Sequence, residues 1–166
     1  MTCEYLQRCN QQMAFSCYHL MSLKTECLTQ VQVNALQQAT CLALGLALRA
    51  YLNELAVSLL GRQAKKVERL NELFLLCRQH RSVAAEVVEL ESLVESALSW
   101  PESIELQCDK LQACSVTVET GASALQVNVI ASSRPTLPDL HLDVLESYWN
   151  ALQELMTRQR ANNIEY

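Results

Sequence analysis

The sequence predicts an all-α protein: an antiparallel bundle of four to five helices around one long central helix, forming a single domain over residues 1–166. Three observations predict it. Residues 29–60 form one long helix-compatible stretch, apolar on nearly every side near its middle. The 166 residues include only three Gly and three Pro, and strands need turns that usually draw on both. Apolar residues make up 50% of the chain and charged residues 19%, a balance suited to a packed core. A chain of this length buries roughly two thirds of its unfolded surface.

The first helix is expected from Thr2, a candidate cap, to about Leu28. Leu6, Cys9, Met13, Cys17, Leu20 and Cys27 recur at mainly three- and four-residue steps and form its apolar stripe. Gln7, Arg8, Gln11, Gln12, Ser16, His19 and Lys24 are assigned to the other face.

The second helix runs from Thr29 to Leu60. Thr29 and Gln32 have the spacing of a capping box, in which hydroxyl and amide each satisfy a free backbone N–H. Residues 41–48 are an apolar run, followed by Arg49, Asn53 and Glu54. A bilayer span needs about 20 predominantly apolar residues. The run falls short of that, so the helix is read as a core helix of roughly 45 Å. Gly61 is its expected C-cap.

A third helix is expected over Arg62–His80, with Val67, Leu70, Leu73, Phe74 and Cys77 inward and a basic flank of Arg62, Lys65, Lys66, Arg69, Arg78 and Arg81. A fourth is expected from a Ser82 cap to about Ser99, with Val87, Leu90, Val94 and Leu98 inward and Glu86, Glu89, Glu91 and Glu95 on its flank. The two make a hairpin of complementary charge. Pro101 breaks the fourth helix. Ser99 and Glu102 then restart a short one through Ile104, Leu106 and Leu111. In residues 115–138, Val116 and Val118, then Leu125, Val127 and Val129, alternate with polar residues, which gives a loop or a small β-hairpin. Asp139 caps a last helix to about Arg160, with Val144, Leu145, Tyr148, Leu152, Leu155 and Met156 inward and Trp149 at the edge.

No catalytic constellation and no cofactor motif is present. A Gly-rich phosphate loop is absent, and no Glu-x-x-His accompanies the glutamates of the fourth helix, as di-iron chemistry requires. Cys17 and His19, two residues apart, point to different faces. The weak metal candidate is Cys77 with His80, three apart on one face, but a structural zinc site needs four ligands. The eight cysteines form no C-x-x-C pair. Residues 1–30 lack a basic start followed by an apolar core, so a reducing cytoplasm is expected, with cysteines serving as small core hydrophobes.

The net charge of −5 disfavours a dedicated nucleic-acid binder. The leading expectation is a non-catalytic interaction or adaptor protein. Its partner-binding candidates are Asn10, Gln11 and Gln12, amides cheaper to desolvate than charges, and the cations Arg62, Lys65, Lys66 and Arg69. Its partner is another protein or a second copy. One alternative is a small-ligand, redox or metal-binding protein that uses a pocket lined by cysteines and Arg49, which requires a thiol of depressed pKa. A second is nucleic-acid association through the basic third helix, which requires binding that weakens with salt.

Two stretches carry a resemblance: Arg8-Cys9-Asn10-Gln11-Gln12-Met13-Ala14-Phe15 near the start, and Trp149-Asn150-Ala151-Leu152-Gln153-Glu154-Leu155 with Arg158-Gln159-Arg160 near the end. In these the chain resembles an uncharacterised family of small helical proteins from gammaproteobacteria. The resemblance covers about a quarter of the chain. It implies a cytoplasmic bacterial helical domain and no particular activity.

Overall fold

The computed structural model describes residues 2–24, 27–82, 84–96, 99–115 and 140–162. Among these there are six α-helices and no strand. They are α1 (Thr2–Leu23), α2 (Gln30–Leu60), α3 (Leu70–Gln79), α4 (Ala85–Glu95), α5 (Trp100–Ser115) and α6 (Leu142–Asn162). Of the loop or hairpin expected at 115–138, Ser115 is instead the last residue of α5, and the rest, like the Asp139 cap and Leu98, lies outside the described residues.

The central helix forms as its ends dictate. Thr29 and Gln32 make the capping box: Gln32 N donates to Thr29 Oγ1, and Thr29 N donates to Gln32 Oε1 at 2.9 Å. Gly61 closes the other end at φ +54°, a conformation that disfavours a Cβ. From Thr40 onward α2 is largely buried, with Leu44, Leu48, Tyr51, Leu52 and Leu55 at the middle of the core. α1 packs along it as an antiparallel hairpin, and α5, α6 and α3 also pack against it. By length and composition alone α2 with the turn after it is long and apolar enough to cross a bilayer, a test that a buried core helix also passes. More than half of its most apolar window is buried inside the fold, as a core helix requires.

In α1, Cys9, Met13 and Leu20 are buried as expected, but so is Ser16, assigned above to the polar face. Its hydroxyl donates to Gln12 O at 2.9 Å, which removes the cost of burying it. Cys27 lies beyond the helix, exposed, at φ +78°.

The third helix starts eight residues later than expected. Gly61–Gln63 is a 3-10 turn, and residues 64–69 run extended before α3 begins. The cause is tertiary. Asn53 of α2 is buried and holds Val67 by both backbone groups: Val67 N donates to Asn53 Oδ1 at 2.9 Å, and Asn53 Nδ2 donates to Val67 O. The helix then starts under a borrowed cap, since Leu70 N donates to Glu105 Oε1 of α5 at 2.9 Å. So Lys65, Lys66 and Arg69 do not lie on a helix, and Arg62 sits in the 3-10 turn.

Ser82 does not cap α4, which begins after Ala84 with no side-chain cap. The backbone N–H of Ser82 instead closes α3, donating to Cys77 O at 2.9 Å while Arg81 N donates to Arg78 O at 3.1 Å. Arg81 between them sits at φ +53°. This is a Schellman ending with arginine where glycine is usual. In α5, Pro101 lies inside the first turn, where its missing N–H costs nothing. Ser99 caps that turn, accepting from Glu102 N on its hydroxyl and from Ser103 N on its carbonyl. The helix is 16 residues long and carries Ile104 and Leu111 inward, whereas Leu106 is exposed.

Candidate functional site

Three places in the fold gather chemically useful side chains. The first is a partly buried polar network between α1, α2, α4 and α6. Arg160 grips Glu54 with two hydrogen bonds, Nε to Oε1 at 2.9 Å and Nη2 to Oε2 at 2.6 Å. It also donates to Asn10 Oδ1 at 3.0 Å and lies 5.8 Å from the centre of the Tyr51 ring. Tyr51 donates its hydroxyl to Gln159 Oε1, and Gln159 Nε2 donates to Glu89 Oε2 at 2.8 Å. Burial pushes the Tyr51 hydroxyl up out of its ordinary range. It pushes the Cys9 thiol, which donates to Met156 Sδ, up to about 11. Every member has a partner, so the network locks four helices in register and leaves no reactive group free.

The second is a cleft of about 160 Å³ between α2, the extended segment and α5. Leu42, Leu46, Arg49, Arg69, Cys108 and Asp109 line it. Arg69 forks onto both carboxylate oxygens of Asp109 at 2.8 and 3.0 Å. Arg49 Nε lies 3.1 Å from Glu68 Oε2, an ion-pair contact without hydrogen-bond alignment, so this N–H is buried and unsatisfied. Of the expected pocket lined by cysteines and Arg49, the cleft brings together Arg49 and one cysteine, Cys108.

The third is the solvent face of α1. Phe15 is 47% exposed, Tyr18 70% and Met21 69%. Gln11, Ala14, Tyr18 and Met21 follow at three- and four-residue steps, so they share one face, and Phe15 borders it. Gln11 is exposed there and Gln12 half-buried, while Asn10 is engaged by Arg160. Nothing between Arg8 and Lys24 on α1 is a Lys, Arg, Asp or Glu. Sequence reasoning found the amides but missed the three large side chains. The signal was present: an aromatic at 15, another at 18 and a methionine at 21, all off the Cys9–Met13–Leu20 stripe.

The remaining candidates are dispersed. Cys77 is buried and its thiol is raised by burial, whereas His80 is the exposed residue ending α3. Among the described residues no three of His, Cys, Asp and Glu converge as a metal site would require. Of the four cations, Arg69 is paired with Asp109 and Lys66 with Glu68, while Arg62 and Lys65 are exposed. The expected charge pairing of α3 with α4 is realised by Arg78 and Glu91 at 2.9 Å. No protein-family model, curated protein or solved structure matches the chain.

Proposed function

We propose that this is a non-catalytic interaction protein of a reducing bacterial cytoplasm, and that it docks another protein through the solvent face of α1. The observation that carries the reading is the exposed row Phe15, Tyr18 and Met21 beside Gln11 and Ala14. Large aromatic and methionine side chains are enriched where proteins meet, and charged residues are depleted at the centre of such patches. This face has both properties. Amides at its edge can pair across a contact at a lower desolvation cost than charges. The basic segment gives less support to a nucleic-acid role, because Arg69 and Lys66 are engaged by acids of the same chain.

The test is affinity capture from the native cell, with reductant and nuclease present, of the full chain and of the Tyr18→Glu and Met21→Ser variants. The expected result is one stoichiometric protein partner on the wild type, lost from both variants while their helical content and melting temperature are unchanged. Retention of that partner by both variants, or no partner on the wild type, would overturn the reading.

A further inference from the structure

Two cysteines come together where α5 packs on α2. Cys108 Sγ donates to Cys41 O at 3.4 Å. One turn along α2 stands Gly45, and a Cβ there would lie only 2.3 Å from Cys108 Sγ. Only a helix without a side chain at that point lets the Cys108 sulfur lie so close to α2, against the backbone of Cys41.

The two sulfurs differ in surroundings. Cys41 is sealed, at 1% exposure. Cys108 is 8% exposed and lines the cleft beside Leu42, Leu46 and Arg49. A small molecule entering the cleft meets Cys108 first, with Cys41 behind it. The charge arrangement follows the same order. The thiol of Cys41 hydrogen-bonds the Cys108 sulfur and holds it below the ordinary thiol range, and the Arg49 guanidinium adds to this against the opposing effect of burial. Cys41 is correspondingly pushed up, by the same contact and by burial. Elsewhere Cys9 and Cys77 are raised by burial and are poor nucleophiles.

We propose that Cys108 and Cys41 form a dithiol site for small hydroperoxides, with Cys108 as attacking and Cys41 as resolving sulfur. The Cys108 thiolate attacks the distal oxygen of ROOH. The O–O bond breaks, and its electron pair leaves on RO⁻, which takes up the proton that Cys108 released. Cys108 is then a sulfenic acid. Cys41 next attacks Cys108 Sγ. The S–O bond breaks, and the departing hydroxide takes the Cys41 proton and leaves as water. Two thiols and one hydroperoxide give one disulfide, one ROH and one water: the sulfurs lose two electrons and the peroxide gains them. The product ties α2 to α5 across 67 residues of chain.

The test uses the full reduced chain and one equivalent of hydrogen peroxide, quenched with N-ethylmaleimide and mapped by non-reducing peptide mass spectrometry. The expected first product is the Cys41–Cys108 cross-linked peptide, formed at least tenfold faster than any oxidation of the exposed Cys27 and reversed by a thiol reductant. In Cys41→Ala the reaction stops at a Cys108 sulfenic acid captured by a dimedone probe. Oxidation of Cys27 ahead of the pair would overturn the proposal. So would conversion of wild-type Cys108 to sulfinic acid without a link to Cys41. Because the decisive measurement is on the wild type, it stands whether or not the variant folds.

Discussion

Asn53 holds Val67 as a neighbouring strand would, giving one acceptor and one donor to the two backbone groups of a single buried residue. Its Nδ2 also donates to Arg49 O within its own helix at 2.8 Å. One amide therefore decides that residues 64–69 run extended along α2 when the local pattern favours helix. This has energetic weight, because Val67 is 1% exposed and its N–H and C=O have no water to turn to. Asn53→Ala strands both groups, each at about 1–3 kcal/mol. The expected loss is about 2–4 kcal/mol by urea denaturation, with α3 losing amide-exchange protection before the rest of the bundle. A loss below about 1 kcal/mol would show that the segment is held by other contacts.

Gly45 and Cys108 supply the second prediction. Alanine in a helix interior is normally favoured over glycine by about 1 kcal/mol. Here the added Cβ meets a sulfur at 2.3 Å, so overpacking, about 1–3 kcal/mol, outweighs propensity. Gly45→Ala is expected to destabilise the wild type. In a Cys108→Ala background the nearest remaining contact is Cys108 Cβ at 3.5 Å, an ordinary van der Waals distance. There the same substitution is expected to be neutral or stabilising. A double-mutant cycle by thermal or urea denaturation measures this coupling, and additive effects would refute the steric argument.

These two cases show which parts of the structure were legible in the sequence. The ends of α2 were, because Thr29, Gln32 and Gly61 act on their own neighbours. So were the inward faces of α3 and of most of α6, because Leu70, Leu73 and Phe74, like Leu152 and Leu155, report burial through helical period alone. The start of α3 was not, because it is set by Asn53, 14 residues before the Val67 it holds, and by Glu105, 35 residues after Leu70. Ser82 was misassigned for a related reason: the sequence shows a good capping residue but not that its N–H closes the preceding helix. The cleft was half legible. Arg49 and the cysteines stood out as types, but the choice of Cys108 depends on the close approach at Gly45. On α1, periodicity led the eye to the buried stripe and away from Tyr18 and Met21.

Glu105 gives a pH-dependent prediction. Burial raises its pKa above the ordinary carboxylate range, opposed by the hydrogen bond from Leu70 N and by Arg69, and assisted by Asp109 and Glu102. A carboxyl whose folded pKa is raised stabilises the fold fully below its unfolded pKa, and this contribution is lost as pH rises through the folded value. Glu105→Gln keeps an oxygen to accept from Leu70 N but cannot titrate. Between about pH 4 and pH 7, near and above the ordinary carboxylate range, the wild type is therefore expected to lose stability relative to Glu105→Gln. Urea melts of both proteins at several pH values check this. A gap that is constant, or that closes as pH rises, would contradict the assigned sign.

Arg81 provides the last prediction. It occupies the left-handed position of the Schellman ending at φ +53°, where a Cβ crowds the following carbonyl at roughly 1–2 kcal/mol. Its side chain is exposed, so replacing it removes little packing. Glycine relieves the crowding but adds freedom to the unfolded chain, at roughly 0.5–1 kcal/mol. The balance favours Arg81→Gly by about 0.5–1 kcal/mol, because the two hydrogen bonds of the motif, Arg81 N to Arg78 O and Ser82 N to Cys77 O, are backbone bonds that glycine retains. Arg81→Val is the informative opposite, since a β-branched residue is worst at positive φ, and it is expected to lose more than 1 kcal/mol. Thermal denaturation of the three proteins should rank them glycine, arginine, valine. If valine matched arginine, the backbone there would not be held left-handed, and the end of α3 would be set by the side chains of α4 instead.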